Sequence, residues 1–104
     1  MKVQIFSVYD KAVQAFIKPF YCRSKGEAVR SFMEACGDEK MDFSKHASDY
    51  VMFYLGEFDD ISGIFTPVEP QRVISALECL VDRPSAPVNG GSASAGSIDE
   101  AIPF

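Results

Sequence analysis

The sequence predicts an α+β domain over residues 1–82, a four-stranded, mostly antiparallel sheet with two helices in the order β-β-α-β-β-α, followed by a disordered C-terminal tail over residues 83–104. Three observations carry this expectation. Residues 2–9 are rich in β-forming side chains and residues 50–58 alternate around aromatics, the patterns of half-buried strands. A Ser-x-x-Glu box at Ser24 and Glu27 opens a stretch with apolar residues at helical spacing. From Arg83 onward the composition shifts to Pro, Gly, Ser and Ala, which bury too little apolar surface to order a chain.

Taken in order, residues 2–9 form the first strand, Asp10 and Lys11 turn it, and residues 13–22 return as its partner. Pro19 has no N–H for the ladder, so this second strand lies at an edge or is broken there. Ser24 caps a helix over residues 25–36: its hydroxyl accepts from the Glu27 N–H and the Glu27 carboxylate reaches back to Ser24. Val29, Phe32, Met33 and Cys36 stripe that helix, and Gly37 is expected to stop it in the left-handed conformation. A loop around His46 leads into the strand at residues 50–58. Asp59, Asp60 and Gly63 then supply the turn that reverses the chain into a strand at residues 64–67. Pro70 is expected to open a second helix over residues 70–82, with Val73, Ala76, Leu77, Leu80 and Val81 on one face and Pro84 beyond its end. Both helices need the same sheet face to cover, which should bury Phe32, Met33, Leu77 and Leu80.

The chain has 104 residues, 47% of them hydrophobic, so a single modest core is expected. No apolar run approaches the roughly 20 residues that span a bilayer. Met1 and Lys2 lead straight into strand-like residues without a signal-peptide apolar region, so a cytoplasmic protein is expected. Cys22, Cys36 and Cys79 are odd in number and widely spaced, and with the lone His46 they make neither a zinc knuckle nor a disulfide framework; buried thiols are the expectation. No cofactor is implied.

A net charge of −5 argues against indiscriminate nucleic-acid binding, yet the charge is uneven. The first 30 residues carry six basic groups, Lys2, Lys11, Lys18, Arg23, Lys25 and Arg30, against the two acids Asp10 and Glu27. Phosphate contacts, if made, should therefore come from this third. Nine Phe and four Tyr are a high aromatic load, and several fall beside those cations: Tyr9 near Lys11, Phe16 before Lys18, Phe20 and Tyr21 before Arg23. A single strand binds such a mixture, bases stacking on rings while Lys and Arg neutralise phosphates. Lys11, Lys18, Arg23, Lys25 and Arg30 are thus the phosphate candidates, and Tyr9, Phe20 and Tyr21 the stacking candidates. The competing reading is that most rings, Phe6, Phe16, Phe32, Phe53 and Phe65 among them, fill the core. Strand alternation lets only one face do so, leaving the other to a nucleic acid or a second copy in a homodimer.

Catalysis is not expected. Asp59 and Asp60 are adjacent acids in a turn, a poor cage for a metal without further ligands. His46, Ser48 and Asp49 crowd four positions of one loop, which suits capping better than a triad. No phosphate-cradling glycine loop or nucleophile elbow is present.

Five ordered motifs resemble a known family: Ser7-Val8-Tyr9-Asp10, Pro19-Phe20-Tyr21, Gly26-Glu27-Ala28-Val29-Arg30-Ser31-Phe32, His46 with Asp49-Tyr50, and Gly56-Glu57-Phe58-Asp59-Asp60. Across residues 1–81 the chain is similar to the small non-structural protein of the gokushoviruses, single-stranded DNA phages of the Microviridae. It departs at Ala47, where members carry Pro, and at Gly37-Asp38, where they carry Asn-Asp. The resemblance implies a DNA-binding role in genome replication and packaging in the host cytoplasm, with single-stranded DNA and phage replication or procapsid proteins as partners. The alternative is a protein adaptor that docks the replication initiator or procapsid without touching DNA. Ile98, Ile102 and Phe104, apolar residues among acids at the end of the tail, are the candidate docking peptide.

Overall fold

The computed structural model describes residues 1–82; the tail, with Ile98, Ile102 and Phe104, lies outside the described residues. The expected α+β architecture is present: an antiparallel sheet with its helices on one face. Strand β1 (Lys2–Asp10) is its spine. One edge of β1 pairs along its whole length with β4 (Tyr50–Asp59), which pairs in turn with β5 (Ile64–Ser75). Its other edge takes two short pieces, β2 (Ala15–Phe16) and β3 (Phe20–Cys22).

Those two pieces replace the single strand expected over residues 13–22, and the break falls at Pro19 as the missing N–H demands. The gap is bridged from β1: the Ile17 N–H donates to the Val8 carbonyl at 2.9 Å, and the buried Ser7 hydroxyl donates to the Ile17 carbonyl at 2.6 Å. Val13 and Gln14 belong to the turn, closed by the Gln14 N–H on the Asp10 carbonyl and by Gln14 at φ 59°.

Helix α1 (Lys25–Cys36) starts and ends where the pattern places it. The Ser24 hydroxyl accepts from the Glu27 N–H at 3.1 Å, but the Glu27 carboxylate reaches one residue further back than expected, to the Arg23 N–H at 2.8 Å. Gly37 does not stop the helix in the left-handed conformation; its φ of −81° is right-handed, and its N–H donates to the Met33 and Glu34 carbonyls. The expected loop before β4 contains a one-turn helix, α2 (Asp42–Lys45), and a 3-10 turn (Ala47–Asp49). Phe43 of α2 seats its ring between Phe32, at 5.3 Å, and Tyr50, at 4.9 Å, closing the open end of the core.

The larger correction concerns residues 70–75, which continue β5 instead of opening a helix. Gln71 and Arg72 pair with Tyr54 and Phe53, and Ile74 and Ser75 with Met52 and Val51. Pro67 and Pro70 are tolerated because β5 is an edge strand. Helix α3 (Ala76–Asp82) begins at a second capping box, in which the Ser75 hydroxyl accepts from the Glu78 N–H and the Glu78 carboxylate accepts from the Ser75 N–H, both at 3.0 Å. With that start, Ala76 and Cys79 are buried and Leu77 is half-exposed, not buried as expected.

Both longer helices do pack on one sheet face. Phe6, Val8 and Met52 from the sheet meet Ala28, Phe32 and Cys36 of α1 and Ala76 and Cys79 of α3 in one core. Phe32 is fully buried, which stabilises the fold by about 1.5–3 kcal/mol, while Met33 and Leu80 pack at its rim. Gly56 marks register shifts on both sides of β4: its φ is +138°, and a Cβ there would stand 2.4 Å from the Thr66 carbonyl oxygen.

Candidate nucleic-acid interface

Directly opposed residues of antiparallel strands point to the same face, so the register locates every ring. Phe6 and Val8 face the helices. Val3, Ile5, Ser7 and Tyr9 therefore face away, and with them their partners Phe58, Tyr21, Phe53 and Phe16. No helix covers this second face among the described residues. It carries two groups of rings. At one end Tyr9, Phe16 and Phe53 meet edge to face, with centroids 5.0, 5.6 and 6.4 Å apart. At the other, Phe58 lies 6.1 Å from Tyr21 and 4.7 Å from Phe65. Ile5 and Ser7 form a buried floor between them. Phe16, Tyr21 and Phe65 remain 42%, 45% and 56% exposed, an apolar surface of the kind that marks an interaction site.

The candidates named from sequence divide accordingly. Tyr9 and Tyr21 stand on this open face. Phe20 does not: it is buried at 1% exposure, stacked 6.0 Å from Phe6, because its place in β3 turns it to the helix side. Phe16, Phe53 and Phe65, expected to fill the core, belong instead to the open face. The sign was present in the alternation, since Phe16 and Phe20 lie on opposite sides of Pro19, where the phase is lost.

All five basic candidates are exposed. Lys11 lies in the β1–β2 turn, Lys18 between β2 and β3, and Arg23 just after β3, so these three follow the sheet edge that borders both ring groups. Lys25 and Arg30 stand on α1, in the helical layer. The fold thus separates these two from the rings. The remaining polar clusters have structural explanations. Asp59 accepts from the Ile61 N–H at 3.0 Å, which lowers its pKa, and the Asp60 carboxylate accepts from the Met1 amino group at 2.8 Å. His46 is the exposed residue that joins α2 to the 3-10 turn. The three cysteines are buried, and burial, reinforced by the Glu27 carboxylate, pushes the Cys22 thiol up to about 11. Among the described residues no helix is long and apolar enough to cross a membrane.

No curated protein and no solved structure matches the chain. A family described as Phage ORF5 protein matches residues 3–79, from the second residue of β1 to the buried Cys79 of α3, and so takes in all of the sheet but Lys2, together with α1 and both ring groups. The match covers most of the chain, and the protein belongs to the Phage ORF5 family.

Proposed function

We propose that this protein is a non-enzymatic, non-structural accessory protein that binds single-stranded DNA in the host cytoplasm during phage genome replication and packaging, as the gokushovirus resemblance implies. The observation that carries the reading is the sheet face that no helix covers among the described residues, with two separate groups of partly exposed rings. Aromatics on an open sheet stack bases without reading their edges, which suits a protein that must accept any sequence of a genome. Membership of a phage family agrees with it. Phe16 and Tyr21 present the stacking surfaces, and Lys11, Lys18 and Arg23 meet phosphates along the adjoining edge. Lys25 and Arg30 serve only a strand that wraps past β3.

A second reading, the protein adaptor, draws on the β4–β5 hairpin, whose acids Glu57, Asp59, Asp60 and Glu69 accompany the exposed Ile61, Ile64 and Phe65. Titration of labelled single-stranded and duplex oligonucleotides at two salt concentrations decides between them. Direct binding predicts preference for the single strand and a salt slope of several phosphate contacts. Tyr21→Ala and Phe16→Ala should each weaken binding by roughly 1–3 kcal/mol and leave the slope in place, whereas Lys11→Glu with Lys18→Glu should flatten it. A folded protein that binds no single strand at low salt overturns the reading in favour of the adaptor.

A further inference from the structure

At the end of the sheet that carries Tyr9 and Phe16, on the opposite side, lies a groove of about 470 Å³. That volume falls within the roughly 300–1,000 Å³ of small-ligand sites. Phe43 and Tyr50 form part of its apolar floor. Lys18, from the β2–β3 link, and Lys40, from the segment between α1 and α2, line it together with the carboxylates of Asp10 and Asp42. Tyr50 is bound to Asp10 through its hydroxyl, and burial, then the charges of Asp10 and Asp42, raise its pKa above the ordinary value. The Asp10 carboxylate also accepts from the Ala12 N–H at 2.9 Å. Asp10 is thus held in place, while Asp42 is exposed on the first turn of α2.

Apolar floor, two cations and an acceptor-only carboxylate together match one chemical unit: a planar base that bears hydrogen-bond donors and is joined to a phosphate. We propose that this groove holds one nucleotide, its phosphate between Lys18 and Lys40 and its base edge on Asp42, with guanine favoured and thymine rejected. An ionised carboxylate only accepts. Guanine offers it two adjacent donors, N1–H and the N2 amino group. Cytosine and adenine offer one amino group beside a ring nitrogen that accepts. Thymine sets two carbonyl oxygens around its single N–H, and those oxygens repel the carboxylate. The order expected is therefore guanine, then cytosine and adenine, then thymine. The nucleic-acid nature of the ligand rests on the DNA-binding reading; in that setting Lys18 connects the groove to the ring face next to Phe16, so a strand lying on the face can place one nucleotide in the groove. Base preference is then added at one position to an otherwise indifferent platform.

The test is an amide chemical-shift titration of the full chain with dGMP, dCMP, dAMP, dTMP and deoxyguanosine, and separately with oligo(dT). The expected result is saturable shifts at Met41, Asp42 and Tyr50, strongest with dGMP, weakest with dTMP, and reduced for deoxyguanosine, which lacks the phosphate. Asp42→Asn should weaken dGMP about tenfold and narrow the gap to dTMP, since the amide supplies a donor where the carboxylate supplied a second acceptor. Lys40→Ala should reduce dGMP affinity towards that of deoxyguanosine. Equal shifts with dGMP and dTMP, or none at those residues at millimolar nucleotide, would overturn the proposal. Oligo(dT) reports on the platform alone through Phe16 and Tyr21: shifts there together with a groove that stays silent to dGMP sink this inference only, and silence at Phe16 and Tyr21 sinks the platform.

Discussion

Gly56 is the position at which one methyl group should do most harm to the open face. Its φ of +138° is a conformation that residues with a side chain rarely adopt, and a Cβ would meet the Thr66 carbonyl oxygen at 2.4 Å and the Pro67 Cα at 2.8 Å. Both obstacles are backbone of the paired strand, so neither can rotate away. Backbone strain at such a φ costs about 1–3 kcal/mol, and forcing a methyl into a filled space a further 1–3. Gly56→Ala should therefore destabilise the domain by about 4 kcal/mol, a large part of the roughly 4–12 kcal/mol expected for a domain of this size. With a urea m-value of about 1 kcal/mol/M, the unfolding midpoint should drop by several molar. Gly63→Ala is the control: φ is +79° there too, but nothing lies within 4 Å, so only the left-handed penalty of about 1–2 kcal/mol applies. Urea melts of both variants, followed by far-UV circular dichroism, check the argument. If Gly56→Ala costs no more than Gly63→Ala, the close approach of β4 to β5 is not what makes glycine necessary. The site matters for function because Phe58 and Phe65, which build the second ring group, lie two positions beyond that bend.

Ser75→Ala removes the hydroxyl that caps α3 and should cost about 1 kcal/mol, read as a melting temperature lower by about 4–8 °C; no loss would mean that the helix starts elsewhere. Phe20→Ala should cost about 3–5 kcal/mol because its ring fills the core, whereas Tyr21→Ala next to it should cost less than about 1 kcal/mol, and chemical denaturation of the pair separates core from surface. The Cys22 thiol is raised from 9.0 to about 11, so between those values the unfolded chain has released a proton that the folded one keeps. The Cys22 contribution to stability should be level below pH 9 and fall as pH rises from 9 to 11; Cys22→Val should remove that part of the decline, and an unchanged profile would count against burial of the thiol.

What the sequence determined by itself is local. The Ser24–Glu27 box and the stripe ending at Cys36 define α1 because a helix cap and its first hydrogen bonds are made within four residues. Pro19 marked the break in the second strand because a missing N–H matters in any ladder. The α3 cap, between Ser75 and Glu78, is just as local, whereas the helix start expected at Pro70 did not form. Only pairing with β4 made residues 70–75 a strand, and that pairing is a contact between residues some 20 positions apart. The facing of the rings was likewise decided in three dimensions. Alternation says that neighbours in a strand point opposite ways, but not which way is inward; that depends on where α1 and α3 settle. Once both lie on the side of Phe6 and Val8, Phe20 is committed to the core, and Tyr9, Phe16, Tyr21, Phe53, Phe58 and Phe65 to the face the helices leave open. The basic residues follow the same logic: they share one stretch of the sequence, residues 11–30, yet the turn into α1 leaves Lys11, Lys18 and Arg23 along the sheet edge and carries Lys25 and Arg30 into the helical layer.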